Sequence, residues 1–336
     1  MSKTKTAVIF GVTGQDGSYL SELLLAKNYN VVGVTRRCST DNTQRLAEAN
    51  VLHNADFWIK EGELTDTSSL TDILKEYEPD EVYNLAAQSH VGTSFSQPAA
   101  TWNINAIGTQ NILEAIRRYK PDAKFYQAST SEMFGSVIDP DGFQRETTEL
   151  SPNSPYAVAK VAAHHTVRLY REAYSLFACS GILFNHESER RGEKFVTRKI
   201  TRYIAAYYND LVKTKLKLGN LDAYRDWGHA QDYVRAMWLM LQADKPDDYV
   251  VATGEANSVR DFLTKAFACI GIKDWSNFVQ IDPAFIRPYE VPMLKGDASK
   301  ARTKLNWKNE IQFEELVGRM INSDIKKLKN EQVYRG

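Results

Sequence analysis

Cysteine is scarce in this 336-residue chain: Cys38, Cys179 and Cys269 lie far apart and lack the close spacing of metal ligands. Such a set builds neither a disulfide framework nor a zinc site, and it implies a reducing compartment. Net charge is lacking too. Lys+Arg and Asp+Glu number 42 each, so no bulk field draws nucleic acid or an anionic membrane. Nowhere do eighteen apolar residues run together, and no apolar stretch follows a basic start, which argues against a spanning helix or a cleavable signal. No repeat or low-complexity stretch stands out. The expectation is a soluble cytoplasmic protein with no metal, no nucleic-acid partner and no membrane partner.

What is present is ample apolar material, 43% of residues against 25% charged, in a length suited to one large α/β domain and a smaller partner. Short β-branched runs at 6–10, 31–35, 56–59, 81–85, 124–127 and 178–184 alternate with helical patterns at 18–27, 69–77 and 109–119. Continuous apolar strands separated by helices predict a parallel sheet covered on both faces, a Rossmann-type doubly wound α/β fold. Beyond residue 185 the rhythm changes to helical patterns at 198–209 and 230–241, then to shorter segments around Pro283, Pro288 and Pro292. This predicts a smaller mixed α/β substrate-binding domain from 186–221 and 251–336, with 1–185 and 222–250 forming the dinucleotide domain.

The turn after the first strand reads Gly11-Val12-Thr13-Gly14-Gln15-Asp16-Gly17 and opens the first helix. In that setting Gly11 permits the tight turn, Gly14 lets backbone N–H groups approach a pyrophosphate, and Gly17 lets helix and strand pack closely. The helix N-terminus adds partial positive charge. The second strand decides the cofactor. A carboxylate at its end would bond the ribose of NAD, whereas this chain offers Arg36 and Arg37 followed by Ser39, a set suited to a 2′-phosphate. NADP is expected.

Tyr156 and Lys160 stand four apart, so on a helix both project from one face, where an ammonium favours the phenolate. Ser129-Thr130-Ser131-Glu132 ends the preceding strand, and side chains at that end of a parallel sheet face the ligand crevice. His90, His164, His165 and His229 have no metal spacing and read as packing or helix-surface residues.

These features resemble the extended short-chain dehydrogenase/reductases. The stretches QASTSEMFG (127–135), GILFNHESERRG (181–192), FVTRKI (195–200), LGNLDAYRDWGHAQDYV (218–234) and RPYEV (287–291) resemble, more narrowly, the GDP-mannose 4,6-dehydratases, from Thr6 to about Lys326. The resemblance implies oxidation at C4 of a GDP-sugar, elimination of water across C5 and C6, and return of the hydride to C6. It assigns Tyr156 as base at the C4 hydroxyl, Lys160 to tune it, Thr130 to the C4 oxygen, and Glu132 to the C5 proton and the departing C6 hydroxyl. Glu132 is discriminating, since epimerisation or ketone reduction needs no such acid/base.

The same resemblance implies cofactor contacts at Gly11, Thr13, Gly14, Gln15, Asp16, Arg36, Arg37, Ser39, Glu63, Leu64, Leu85, Ala86, Ala87, Gln88, Ser89, Tyr156, Lys160, His186 and Arg191. GDP-sugar contacts fall at Ser89, Thr130, Glu132, Asn185, Val196, Lys199, Arg225, Arg287 and Glu290. Asn153, Ala157, Glu189, Tyr224, Glu63 and Cys38 replace the usual arginine, glycine, proline, lysine, aspartate and serine. Asn153, Glu189 and Tyr224 are placed to alter the sugar pocket or its surroundings, so a GDP-linked heptose of manno configuration stays open beside GDP-mannose. An epimerase or 4-ketoreductase, or a redox-sensing binding protein without catalysis, are the other readings. The segment around Arg36, Asn42, Thr43 and Arg45 resembles the one through which these enzymes assemble, so a homotetramer or homodimer is expected.

Overall fold

The first strand, β1 (Thr6–Phe10), is an apolar run whose last four residues are buried, and it lies inside a sheet, not at its edge. The computed structural model describes residues 4–286 and 289–333. The strands that follow are β2 (Asn30–Thr35), β3 (Phe57–Glu61), β4 (Glu81–Asn84), β5 (Lys124–Thr130), β6 (Ala178–Leu183), β7 (Asn185–Glu187), β8 (Leu216–Leu218), β9 (Tyr224–His229) and β10 (Asp248–Val251). Seven of them form one parallel sheet in the order β10-β6-β5-β4-β1-β2-β3. Phe10 pairs with Val34 on one side and with Asn84 on the other. The strand order reverses between β1 and β4, and a crevice opens there beyond the carboxyl ends of the strands.

Helices cover both faces, as continuous burial of the strands requires. On one face Leu20 and Leu24 of the helix Gln15–Ala26 join Met237 and Met240 of the helix Ala230–Gln242. On the other, Leu70, Ile112, Ile116 and Val167 come from three helices. Each such side chain contributes about 1.5–3 kcal/mol through burial. A third core gathers Ile200, Ile204, Phe262, Leu316 and Met320, with Trp227 stacked on Phe313 at 6.0 Å. Over it lies a small sheet in which β9 pairs with β7, with β11 (Ala256–Ser258) and with β13 (Met293–Leu294), and a separate two-stranded sheet pairs β12 (Val279–Ile281) with β8.

The strands expected from sequence are present, with ends shifted by a few residues. The first helix begins at Gln15, three residues before its apolar pattern, because Gly14 caps it without a side-chain signal. Strand β10 has only four residues and follows a polar stretch, so no pattern announced it. Lys326, Lys327 and Lys329 lie within the helix Phe313–Val333. No helix among the described residues is long and apolar enough to cross a membrane.

Candidate active site

The cleft is built first from backbone. Gly11 has φ +83°, and a Cβ there would lie 2.7 Å from the Ala86 nitrogen. A Cβ on Gly17 would lie 2.5 Å from the Val12 Cα. Both glycines are therefore required by close approach and not by the turn alone. Gly14 is extended and caps the helix Gln15–Ala26 with no side-chain bond, so the first-turn N–H groups have no side chain competing for them. This uncapped N-terminus beside a glycine turn fits a dinucleotide's phosphates.

The next two residues join the turn to a strand far along the chain. His186 Nε2 lies 2.8 Å from Asp16 Oδ2, and its Nδ1 lies 2.8 Å from the Phe184 carbonyl. The Gln15 amide donates to Asp16 Oδ1 at 3.0 Å and to the His186 carbonyl at 3.1 Å, and accepts from Ser188 Oγ at 2.8 Å. The His186 ring stacks on Tyr233, with centroids 4.6 Å apart. Burial alone would raise the Asp16 pKa, but the His186 charge holds it below the usual carboxylate value. Burial opposes the imidazolium, and Asp16 overrides it, so His186 is raised.

Helix Pro155–Tyr174 starts at Ser154, whose hydroxyl accepts from the Ala157 N–H at 3.1 Å, with Pro155 in the first turn. That fixes Tyr156 and Lys160 on its buried face. Lys160 Nζ donates to the Ala128 carbonyl at 2.8 Å, and burial lowers its pKa to about 8. Burial pushes the Tyr156 phenol up to about 12, against a hydrogen bond with the Thr130 hydroxyl that pulls it down. Lys160 Nζ stands 5.9 Å from the Tyr156 ring centroid. Thr130 ends β5 and caps a single 3-10 turn, Ser131–Phe134, by accepting from the Glu132 N–H at 3.2 Å. Turn and helix together bring Thr130, Glu132, Tyr156 and Lys160 to the wall of one cleft of about 1650 Å³.

The same cleft takes in Thr13, Arg36, Glu63, Leu64, Leu85, Ala86, Ala87, Gln88, Ser89, His186 and Arg191. Arg37 and Ser39 do not line it. On the other side stand Asn185, Val196, Lys199, Arg225 and Glu290. The Asn185 Oδ1 is buried with no partner within the protein, which marks it for a ligand. Lys199 lies over the Phe285 ring at 3.9 Å and Arg191 over Phe195 at 3.6 Å. Arg225 is buried and donates to the Tyr224 and Val291 carbonyls, both at 2.8 Å. Arg287 lies outside the described residues.

Several participants carried no sequence signal. Asn105, in a π-helical turn, exchanges two bonds with the Gln88 backbone, at 2.9 and 3.0 Å, and so fixes the 85–89 wall. The departures from the family pattern at Asn153, Glu189 and Tyr224 lie off the cleft lining. Glu189 turns instead toward a separate cavity of about 720 Å³ behind the helix Gln15–Ala26, where it accepts from the Tyr19 hydroxyl at 2.8 Å and meets His229 Nε2 at 3.2 Å.

A doubly wound sheet, a glycine turn at its switch point and a Tyr-x-x-x-Lys helix beside it define an extended short-chain dehydrogenase/reductase. The dTDP-glucose 4,6-dehydratase of Bacillus anthracis, solved with NAD, shares the fold at a TM-score of 0.83 and 21% identity, covering 98% of each chain. Residues 8–320 match the family model described as GDP-mannose 4,6 dehydratase. The chain is 52% identical to GDP-mannose 4,6 dehydratase 1 of Arabidopsis thaliana over 98% of its length and 92% of that protein's. It is 50% identical to a GDP-mannose 4,6-dehydratase of Vibrio cholerae, over 96% of its length and 94% of that protein's. The chain belongs to the GDP-mannose 4,6-dehydratase family.

Proposed function

We propose that this protein converts GDP-D-mannose to GDP-4-keto-6-deoxy-D-mannose and water, with NADP held on the glycine turn. The observation that carries the reading is the placing of Glu132 on the 3-10 turn directly after Thr130, in the cleft that also holds Tyr156 and Lys160. A carboxylate next to the redox pair is what separates dehydration from plain hydride transfer.

Gly11, Gly14, Leu85 to Ser89 and Arg191 would hold the cofactor, with Arg36 at the adenosine end. When bound there, NADP would supply the hydride acceptor and donor that the oxidation at C4 and the reduction at C6 require. Thr130 steadies the C4 oxygen while Tyr156 takes its proton. Burial holds the phenol near 12, so Tyr156 serves as base only with cations at hand: Arg191, whose charge pulls the phenol down, and Lys160 on the same helix face. With C4 a ketone, the C5 proton is acidic. Glu132 removes it and returns a proton to the leaving C6 hydroxyl, so that water departs.

Asn185, Val196, Lys199, Arg225, Arg287 and Glu290 supply the GDP-sugar contacts in this reading, with residues 1–185 and 222–250 as the cofactor half and 186–221 and 251–336 as the sugar-nucleotide half. Val158 and Leu169, three turns apart on one helix, are exposed, as are Trp102 and Ile107 on elements packed against that helix, apolar surface that a second copy would cover. This supports the expected homo-oligomer.

The test is incubation with a panel of GDP-hexoses and GDP-heptoses, read by mass. Loss of one water from GDP-mannose at catalytic cofactor supports the reading. Inversion at C4 without loss of water, or stoichiometric consumption of NADPH, overturns it. Glu132→Gln should abolish net dehydration while the variant still binds the sugar nucleotide.

A further inference from the structure

A carboxylate is an awkward neighbour for a diphosphate. Asp16 nevertheless sits in the first turn of the helix Gln15–Ala26, where the uncapped N–H groups face the cleft. Its partner shows how this is tolerated. A carbonyl oxygen only accepts, so the 2.8 Å contact with Phe184 makes Nδ1 of His186 a donor. An ionised carboxylate also only accepts, so the 2.8 Å contact with Asp16 makes Nε2 a donor. A ring donating from both nitrogens is an imidazolium, and Asp16 and His186 together are electrically neutral.

The pair also spans the cleft's two walls. Asp16 belongs to the glycine turn, whereas His186 belongs to β7, between Asn185 and the segment carrying Arg191. Gln15 reinforces the junction through its bonds to Asp16, the His186 carbonyl and Ser188. Stacking on Tyr233 fixes the ring plane.

We propose that Asp16 and His186 form a charge latch: the imidazolium cancels the carboxylate at the phosphate-binding turn and fastens β7 to it, so that losing the His186 proton opens the latch and frees the dinucleotide. The inference rests on the reading of the cleft as a nicotinamide-dinucleotide site. It gives His186 a role other than direct contact, as a positioning residue acting through Asp16.

The groups facing the pair are few. Arg191 opposes the imidazolium, and Glu187 lies 3.0 Å from Arg191 Nε and offsets it. The Tyr233 phenol lies under the ring, while Tyr126 and Tyr156 approach Asp16. All three phenols are raised by burial and stay neutral. Among the groups facing the pair only His186 changes charge on the alkaline side of neutrality, while Lys160, lowered to about 8, titrates elsewhere in the same cleft. The folded pKa of His186 lies above the ordinary 6.5, so the latch is intact below that value and is lost as pH rises through the raised one. Asp16, held below 3.8, breaks it only in acid.

The experiment measures the affinity of the full-length protein for NADP+ and for NAD+ between pH 5.5 and 9.5, by calorimetry, in wild type, His186→Gln, Asp16→Asn and the double variant. The wild type should bind its preferred dinucleotide at least tenfold more tightly at the acid end than at the alkaline end. His186→Gln should bind weakly at every pH, because Asp16 is left uncompensated. Adding Asp16→Asn to it should recover most of the affinity and leave only the alkaline loss that Lys160, present in every variant, contributes. Tight binding that ignores pH in the wild type overturns the latch alone, as does a double variant no better than His186→Gln, which would show that packing on Tyr233 was what mattered. Failure of the folded wild type to bind either dinucleotide overturns the cofactor reading itself.

Discussion

Lys160 Nζ donates to the Ala128 carbonyl at 2.8 Å, so the backbone of β5 holds the ammonium that shares a helix face with Tyr156. Holding a buried cation has a thermodynamic sign. Its folded pKa is about 8 against 10.5 for a free lysine, so the folded chain binds fewer protons than the unfolded one between those values. The cost, on the order of 3 kcal/mol, is complete below about pH 8 and fades as pH rises toward 10.5. Lys160→Met should therefore raise the melting temperature at pH 7 while reducing dehydration by about 10²-fold or more. A variant that is both less stable and fully active would contradict both halves.

The two arginines after β2 should separate. Arg36 lines the cleft and Arg37 does not. Arg36→Ala should weaken NADP+ by about 10- to 100-fold, as for a lost charge-assisted bond, and leave NAD+ nearly unchanged. Arg37→Ala should have the smaller effect on both. Equal losses for the two dinucleotides in Arg36→Ala would remove this residue from phosphate recognition.

Glu189 should matter to acid stability and not to the sugar. Burial opposes its charge, but the bond with His229 and the Tyr19 hydroxyl hold its pKa near 2. The contribution is thus present above 4.5 and is lost as pH falls toward 2. Glu189→Gln should cost about 2 kcal/mol at pH 7, flatten the acid limb of the stability curve, and leave the KM for the sugar nucleotide within about twofold. A large shift in KM would show that this position acts on the pocket after all.

The most damaging single change away from the cleft should be at Asp324. It meets Arg198 at 2.7 Å and accepts from Thr201 Oγ1 at 2.7 Å, and all three residues are buried. Arg198 also donates to the carbonyls of Glu189 and Arg191, so the pair holds the segment that carries Arg191 to the cleft. Asp324→Ala should lower unfolding stability by about 3–5 kcal/mol because the guanidinium is left buried without its counter-charge. Denaturant midpoints would measure it, and a loss below about 1 kcal/mol would mean the site relaxes.

What was legible in the sequence was local. The glycine turn and the apolar β1 are neighbours in the chain, and Tyr156 and Lys160 are one helical turn apart, so period and spacing suffice. Partnerships between distant residues leave no such trace. Nothing in the sequence couples Asp16 to His186, Asn105 to the Gln88 backbone, or Arg198 to Asp324. The small sheet around β9 was invisible for the same reason, since strands of three residues carry too few alternations to declare a period. Family likeness named cleft residues that physics alone could not, yet it set Glu189 by the sugar pocket, whereas the fold turns it into a separate cavity.

Strand β10, at the edge of the large sheet, sets the order in which this molecule can be made. It pairs with β6, and a long stretch of unrelated structure intervenes, including β7 and its partner β9. A ribosome delivers the glycine turn within its first seconds of synthesis, but the wall carrying Asn185 and His186 emerges later and the sheet's edge later still. Nascent chains therefore present a bare β6 edge until residue 251 has cleared the exit tunnel. Chaperone dependence should concentrate in that interval, and truncations ending between 183 and 248 should aggregate, not yield a smaller working protein.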